Sequence, residues 1–197
     1  MNPVEAADTI SEEHHHHDDS FRNRAALVIA VLAAILAVCE LGGDNSKNAM
    51  IFNNIKASDT WSFYQAKNQR QTAYKLAEDQ LKREEASTAL SPAARAAAQA
   101  DLARYAKEIA RYEDEPKGEG KKQLKERAES FEQAREIASR QNDDFDLAQM
   151  VLQLAIVLGS VSILSTSRPL LWVAGGLGAF GAVMLANGFW FKIPIPF

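Results

Sequence analysis

After residue 17 the chain contains no histidine, and Cys39 is its only cysteine. The first absence removes the commonest metal ligand and general base from nearly the whole sequence. The second excludes an intrachain disulfide. Positive charge is not in excess either. The net charge is −4, and Asp44 to Asp146 holds 18 Lys/Arg against 19 Asp/Glu. A nucleic-acid-binding field needs a basic surplus, so nucleic acid is excluded as a partner. No glycine-rich phosphate loop precedes a helix, because the clustered glycines lie inside an uncharged run. No stretch alternates apolar and polar residues as a half-buried strand does. Between Asp44 and Glu115 the single proline is Pro92.

What the chain does have is apolar length. Ala25 to Gly43 reads AALVIAVLAAILAVCELGG, with Glu40 as its one charge; Leu147 to Thr166 and Leu170 to Phe191 are uncharged. Each is close to the roughly 20 residues that cross a bilayer core as helix. Trp172 and Trp190 bracket the last run in the manner of an interfacial aromatic belt. Three transmembrane helices are therefore expected, over 25–43, 147–166 and 170–191. The alternative, three buried core helices, requires uncharged runs that are rare in a water-soluble chain of this size. Arg22 and Arg24 before the first run resemble the start of a signal peptide, and Leu36–Cys39 resembles a lipoprotein cleavage box. Val38 is too large for such a box and the acidic residues upstream are unusual for it, so the first run is read as a permanent anchor. Arg22, Arg24 and Arg168 favour a cytoplasmic N-terminus, with Lys47 and Arg140 arguing mildly the other way.

Residues 1–24 are read as a disordered acidic tail containing His14, His15, His16 and His17. Adjacent imidazoles in a flexible segment make at most a weak, promiscuous metal site, so no metal or other cofactor is expected.

Residues 44–146 are rich in Ala, Glu, Lys, Arg and Gln, all good helix formers. Three helices are expected there: 46–88, 92–114 and 121–144. Ser91 supplies an N-cap and Pro92 a first-turn residue. Pro116, Gly118 and Gly120 mark a turn. The second helix carries Leu102, Tyr105, Ala106, Ile109 and Tyr112 on one face; the third carries Leu124, Ala128, Phe131, Ala134, Ala138 and Phe145. The fold class is thus an all-α membrane protein, with a helical-hairpin, coiled-coil-like extramembrane domain between the first and second spans.

In the first of these helices the apolar residues point two ways. On a wheel of 3.6 residues per turn, Phe52, Ile55, Phe63, Ala66, Ala73, Ala77 and Leu81 share one stripe, while Met50, Ala57, Trp61 and Tyr64 lie opposite. The first stripe is assigned to packing against the returning third helix. Trp61 and Tyr64 are then left for the second helix or for another subunit to cover, and an oligomer interface is favoured. Asp59 and Arg70, about 16 Å apart by helical rise, need partners on neighbouring helices and join that candidate interface.

Within the spans, Ala26, Ala30, Ala33 and Ala37 line one face of the first, and Ala174, Gly178, Gly181 and Gly188 one face of the third. Small residues let helices approach closely in lipid. In the second span Asp146, Gln149, Gln153 and Ser160 form a polar stripe, read as facing inward. Glu40 lies at the same membrane surface as Asp146.

The succession NRAALVIAVLAAILAVCELGG, IKASDTWSFYQAKNQRQTAY and FDLAQMVLQLAIVLGSVSIL, followed by a Gly-rich run, resembles the bacterial Domain of Unknown Function 4337 family. The resemblance covers about Arg22 to Phe191, and Ala57 to Arg70 is its most specific part. It implies a small multi-pass protein of the bacterial inner membrane, with three spans, a helical insertion and a native His-rich tail. It brings no activity and no site residues. The expected role is an oligomeric structural or interaction scaffold whose partners are the lipid bilayer and further copies of the chain. The alternative is a homo-oligomeric channel or transporter lined by the polar stripe of the second span. An enzyme ranks last, for want of a catalytic constellation.

Overall fold

The computed structural model describes residues 3–87, 90–115 and 118–190, with side chains from residue 20 onward except that of residue 87. Among these residues the chain is entirely helical: α1 Pro3–Ser87, α2 Pro92–Glu113, α3 Lys121–Ser165 and α4 Arg168–Trp190. Three of them, α1 over Ser20–Ala86, α3 and α4, are long and apolar enough to cross a membrane. Thr88 and Phe191, the last residues of two expected helices, lie outside the described residues.

The expected helices 46–88 and 121–144 are continuous with the neighbouring spans: Gly42-Gly43-Asp44 does not interrupt α1, and Asn142-Asp143-Asp144 does not interrupt α3. The glycines serve close approach instead. A Cβ on Gly42 would lie 2.6 Å from Cε1 of Phe145 on α3. α1 also takes in residues 3–24 of the segment 1–24 expected to be a disordered tail.

The chain divides into two compact units, one of residues 1–49 and 137–197, the other of residues 50–136. In the first, α1, α3 and α4 pack around Leu32, Cys39, Phe145, Ala148, Leu152, Ala155 and Met184. Lipid is as apolar as leucine, so close packing rather than water exclusion must hold such helices together. The buried face of α4 supplies it with Ala174, Gly178, Gly181, Met184, Asn187 and Gly188, which is the small-residue face expected from sequence. Gly178 abuts Leu32, Gly181 abuts Leu152 and Gly188 abuts Phe145. On α1 the expectation fails. Ala26, Ala30, Ala33 and Ala37 are exposed, and Ala25, Leu32, Cys39, Gly42, Gly43 and Ser46 face inward. α1 meets glycines on its partners, so its own inward side can carry leucine.

Two buried polar contacts complete this unit. The Cys39 thiol donates to the Phe145 carbonyl at 3.3 Å, and Asn187 Nδ2 donates to Asp144 Oδ2 at 3.0 Å. The turn from α3 into α4 places Thr166 at φ 51°, with the Ser167 amide donating to the Ser162 carbonyl.

The second unit is a three-helix assembly of α1, α2 and the start of α3. Ser91 caps α2 through its hydroxyl, which accepts from the Ala94 amide, and Pro92 occupies the first turn, as the sequence predicts. Gly118 adopts φ 77°, where only glycine is unstrained, and its amide donates to the Glu115 carbonyl. The expected faces of α2 and α3 hold: Leu102, Tyr105, Ile109 and Tyr112 turn inward, Leu124 and Ala128 are buried and Phe131 and Ala134 half-buried, while Ala138 and Phe145 of the same α3 face are buried in the first unit. Ala106 is exposed, outside the face assigned to it.

Candidate interaction surface

In the second unit α1 presents the opposite face from the one its apolar residues suggest. Ala57, Thr60 and Gln71 are buried, and Asn53, Trp61, Tyr64, Lys67, Tyr74 and Leu81 are half-buried. Inward positions recur every seven residues, at 53, 60, 67, 74 and 81 and again at 57, 64, 71, 78 and 85. A seven-residue recurrence drifts by about 20° per heptad against a straight 3.6-residue wheel. Over four heptads that smears the inward stripe out of view. Polar residues at several of these positions hide it further.

These polar residues are satisfied across the unit. Gln71, 2% exposed, donates Nε2 to the Ile109 carbonyl (2.9 Å) and to Glu113 Oε2 (2.8 Å) on α2. It accepts from Lys121 Nζ of α3 at 2.9 Å. Lys121 also donates to Glu113 at 3.2 Å and sits 5.5 Å from the centre of the Tyr64 ring. One buried amide thus joins all three helices. Hydrogen bonds from Gln71 and then from Lys121 hold the Glu113 carboxyl below its ordinary range. Lys67 pairs with Glu115 at 3.0 Å, and Tyr74 packs on Tyr105 and Tyr112 of α2. Thr60 satisfies its own hydroxyl on the Lys56 carbonyl. Sequence reasoning missed Gln71, Lys121 and Glu113. The available signal was Ala57, Tyr64 and Gln71 at seven-residue spacing.

Trp61 and Tyr64 are therefore not free for another subunit. Trp61 Nε1 donates to Glu132 Oε1 of α3 at 2.9 Å, and its ring meets Tyr64 edge-on at 5.4 Å. The assignment of these two aromatics to an oligomer interface is corrected, because α2 and α3 enclose this side of α1. Asp59 and Arg70 are exposed and carry no ion pair within the chain among the described residues. They lie among Phe52 (57% exposed), Ile55 (53%) and Phe63 (65%), the stripe that was expected to be buried. The enclosed side of α1 is already occupied: Tyr74 packs on α2, Trp61 and Tyr64 meet α3, and Gln71 bonds to both, which leaves the opposite stripe outside.

The polar stripe of the second span also turns outward. Asp146, Gln153 and Ser160 are exposed and Gln149 is half-buried, while Phe145, Ala148, Leu152, Ala155, Gly159 and Ser162 face the other helices. The expectation of an inward stripe is corrected, since the inward face of α3 is filled by the close contacts with α1 and α4. Ser160 satisfies its hydroxyl on the Ile156 carbonyl. Asp146 pairs with Lys47 at 3.1 Å and accepts from Asn142 Nδ2. Glu40 is exposed one residue beyond buried Cys39. The side chains of His14 to His17 lie outside the described residues.

A family model described as a domain of unknown function (DUF4337) matches residues 21–191. No curated protein and no solved structure matches the chain.

Proposed function

The chain belongs to the DUF4337 family of unknown function, and from that premise we propose that it is a bilayer-embedded helical scaffold that self-associates through the outer face of α1. One observation carries this. Phe52, Ile55 and Phe63 are all more than half exposed, on a helix whose other side is already enclosed. Covering what remains exposed of one such side chain is worth about 1–2 kcal/mol. Large apolar side chains gathered on one exposed face mark an interaction site. No catalytic residue, cofactor or metal forms part of the proposal. The bilayer is that of the bacterial inner membrane, and Arg22, Arg24 and Arg168 favour a cytoplasmic N-terminus.

The test is particle mass. Wild-type protein in a mild detergent is expected to contain two or more copies by light scattering. Phe52→Ala with Phe63→Ala is expected to yield single copies with helicity intact. A single-copy wild type would sink the proposal.

The channel reading retains one observation in its favour, the exposed Gln153 and Ser160 on a span. Polar groups at membrane depth face protein or water rather than lipid. Lys47 beside Asp146 weakens any acidic ring at that mouth. Ion flux through proteoliposomes above that of empty vesicles would favour the channel.

A further inference from the structure

The outer face of α1 is complementary to itself when a second α1 runs against it in the opposite direction. At 3.6 residues per turn, Phe52, Asp59, Phe63, Ala66, Arg70 and Ala77 fall within a strip roughly 60° wide. They pair about one centre, between Tyr64 and Gln65: 59 with 70, 63 with 66 and 52 with 77. Antiparallel about that centre, Asp59 of each copy faces Arg70 of the other, twice over. Each phenylalanine faces an alanine, so large side chains enter the spaces that small ones leave. A parallel pair in register does the reverse, setting Asp59 on Asp59, Arg70 on Arg70 and phenylalanine on phenylalanine. Opposed like charges select against that arrangement.

We propose that the occupant of this face is a second copy of the chain in antiparallel register, related by a two-fold axis beside Tyr64 and Gln65. This rests on the self-association proposed above and adds the direction and register of the partner. The exposure of Asp59 and Arg70, with no ion pair inside the chain among the described residues, leaves both available for it. A two-fold contact is self-complementary by construction, so one pairing of residues supplies both halves of the interface.

Disulfide trapping in the full-length protein tests the register. On a Cys39→Ser background, Asp59→Cys and Arg70→Cys are purified separately, then reconstituted alone and mixed, and oxidised. A cross-linked dimer is expected from the mixture and from neither variant alone, since 59 and 59 lie about 16 Å apart along an antiparallel pair. Charge reversal gives an independent readout without cysteine. Asp59→Arg is expected to lose the dimer, and Asp59→Arg with Arg70→Asp to restore it. Cross-linking of either variant with itself would make the helices parallel and overturn the register while leaving self-association standing. A multimeric wild type with no cross-link in any arm, or no rescue by the double reversal, also overturns the register. A single-copy wild type overturns both proposals, and the face then belongs to lipid or to a different protein.

Discussion

Gln71 is the residue on which the second unit turns. Its amide bonds to α2 twice and accepts from α3 once, at a position that water hardly reaches. Gln71→Ala leaves the Ile109 carbonyl and the buried ammonium of Lys121 short of partners. A buried group left unsatisfied costs about 1–3 kcal/mol. A lower thermal midpoint for the helical signal is therefore expected, whereas Gln69→Ala, at an exposed position outside the proposed contact, should stay within about 0.5 kcal/mol of wild type. Glu113 adds a pH dependence of definite sign. Its folded pKa is depressed, chiefly by the Gln71 hydrogen bond, so its contribution is present above the ordinary glutamate range and is lost as the pH falls through the folded value. Thermal midpoints measured from neutral pH down into the acid range should fall less steeply in Glu113→Gln than in wild type. The side chain of Glu113 is 57% exposed, so solvent screening keeps this effect small.

At the scale of the helix, the glycines of α4 divide by environment. A Cβ on Gly181 would lie 2.7 Å from Cγ of Leu152, which is itself fully buried, whereas a Cβ on Gly175 or Gly176 meets nothing within 4 Å. Gly181→Leu is expected to overpack the α3–α4 contact at a cost of about 1–3 kcal/mol. Gly175→Ala and Gly176→Ala should be neutral or stabilising, because alanine is the better helix former by about 0.5–1 kcal/mol. Thermal midpoints of the detergent-solubilised proteins separate the two outcomes. The helical period already sets Gly181 apart from Gly175 and Gly176, and the neighbouring helix decides what each face meets.

For the whole molecule, the proposed pairing joins copies either within one bilayer or from two bilayers, and only the second brings vesicles together. Clustering of proteoliposomes by dynamic light scattering, lost with Asp59→Arg and regained when Arg70→Asp is added, is expected of contact between bilayers. Dispersed wild-type vesicles, with the residue 50–136 unit confirmed on their outer surface by protease digestion, would exclude contact between bilayers.

The sequence by itself determined that the chain is helical and where most of its helices begin or end, because these depend on local features, although six expected stretches join into four helices. Ser91 and Pro92 start α2 by capping, Gly118 supplies the turn before α3, and uncharged runs of sufficient length set the three candidate spans. It also determined the inward faces of α4 and of the first part of α3, where apolar and small residues follow the helical period, but not that of the second span, whose polar stripe turns outward. Only the tertiary structure decided which face of α1 is inside. Along α1 the inward positions hold alanine, threonine, glutamine and lysine, whose burial is tolerable because partners on α2 and α3 satisfy them. Phe52, Ile55 and Phe63 remain outside because the opposite side, with Trp61, Tyr64, Gln71 and Tyr74, is the one that meets α2 and α3. Gly42 and Gly43 end the expected first span, yet they are the points at which Phe145 meets a continuous helix. Hydrophobicity is a property of each residue, whereas the distance between helices and the satisfaction of a buried amide belong to residues brought together from three segments of the chain.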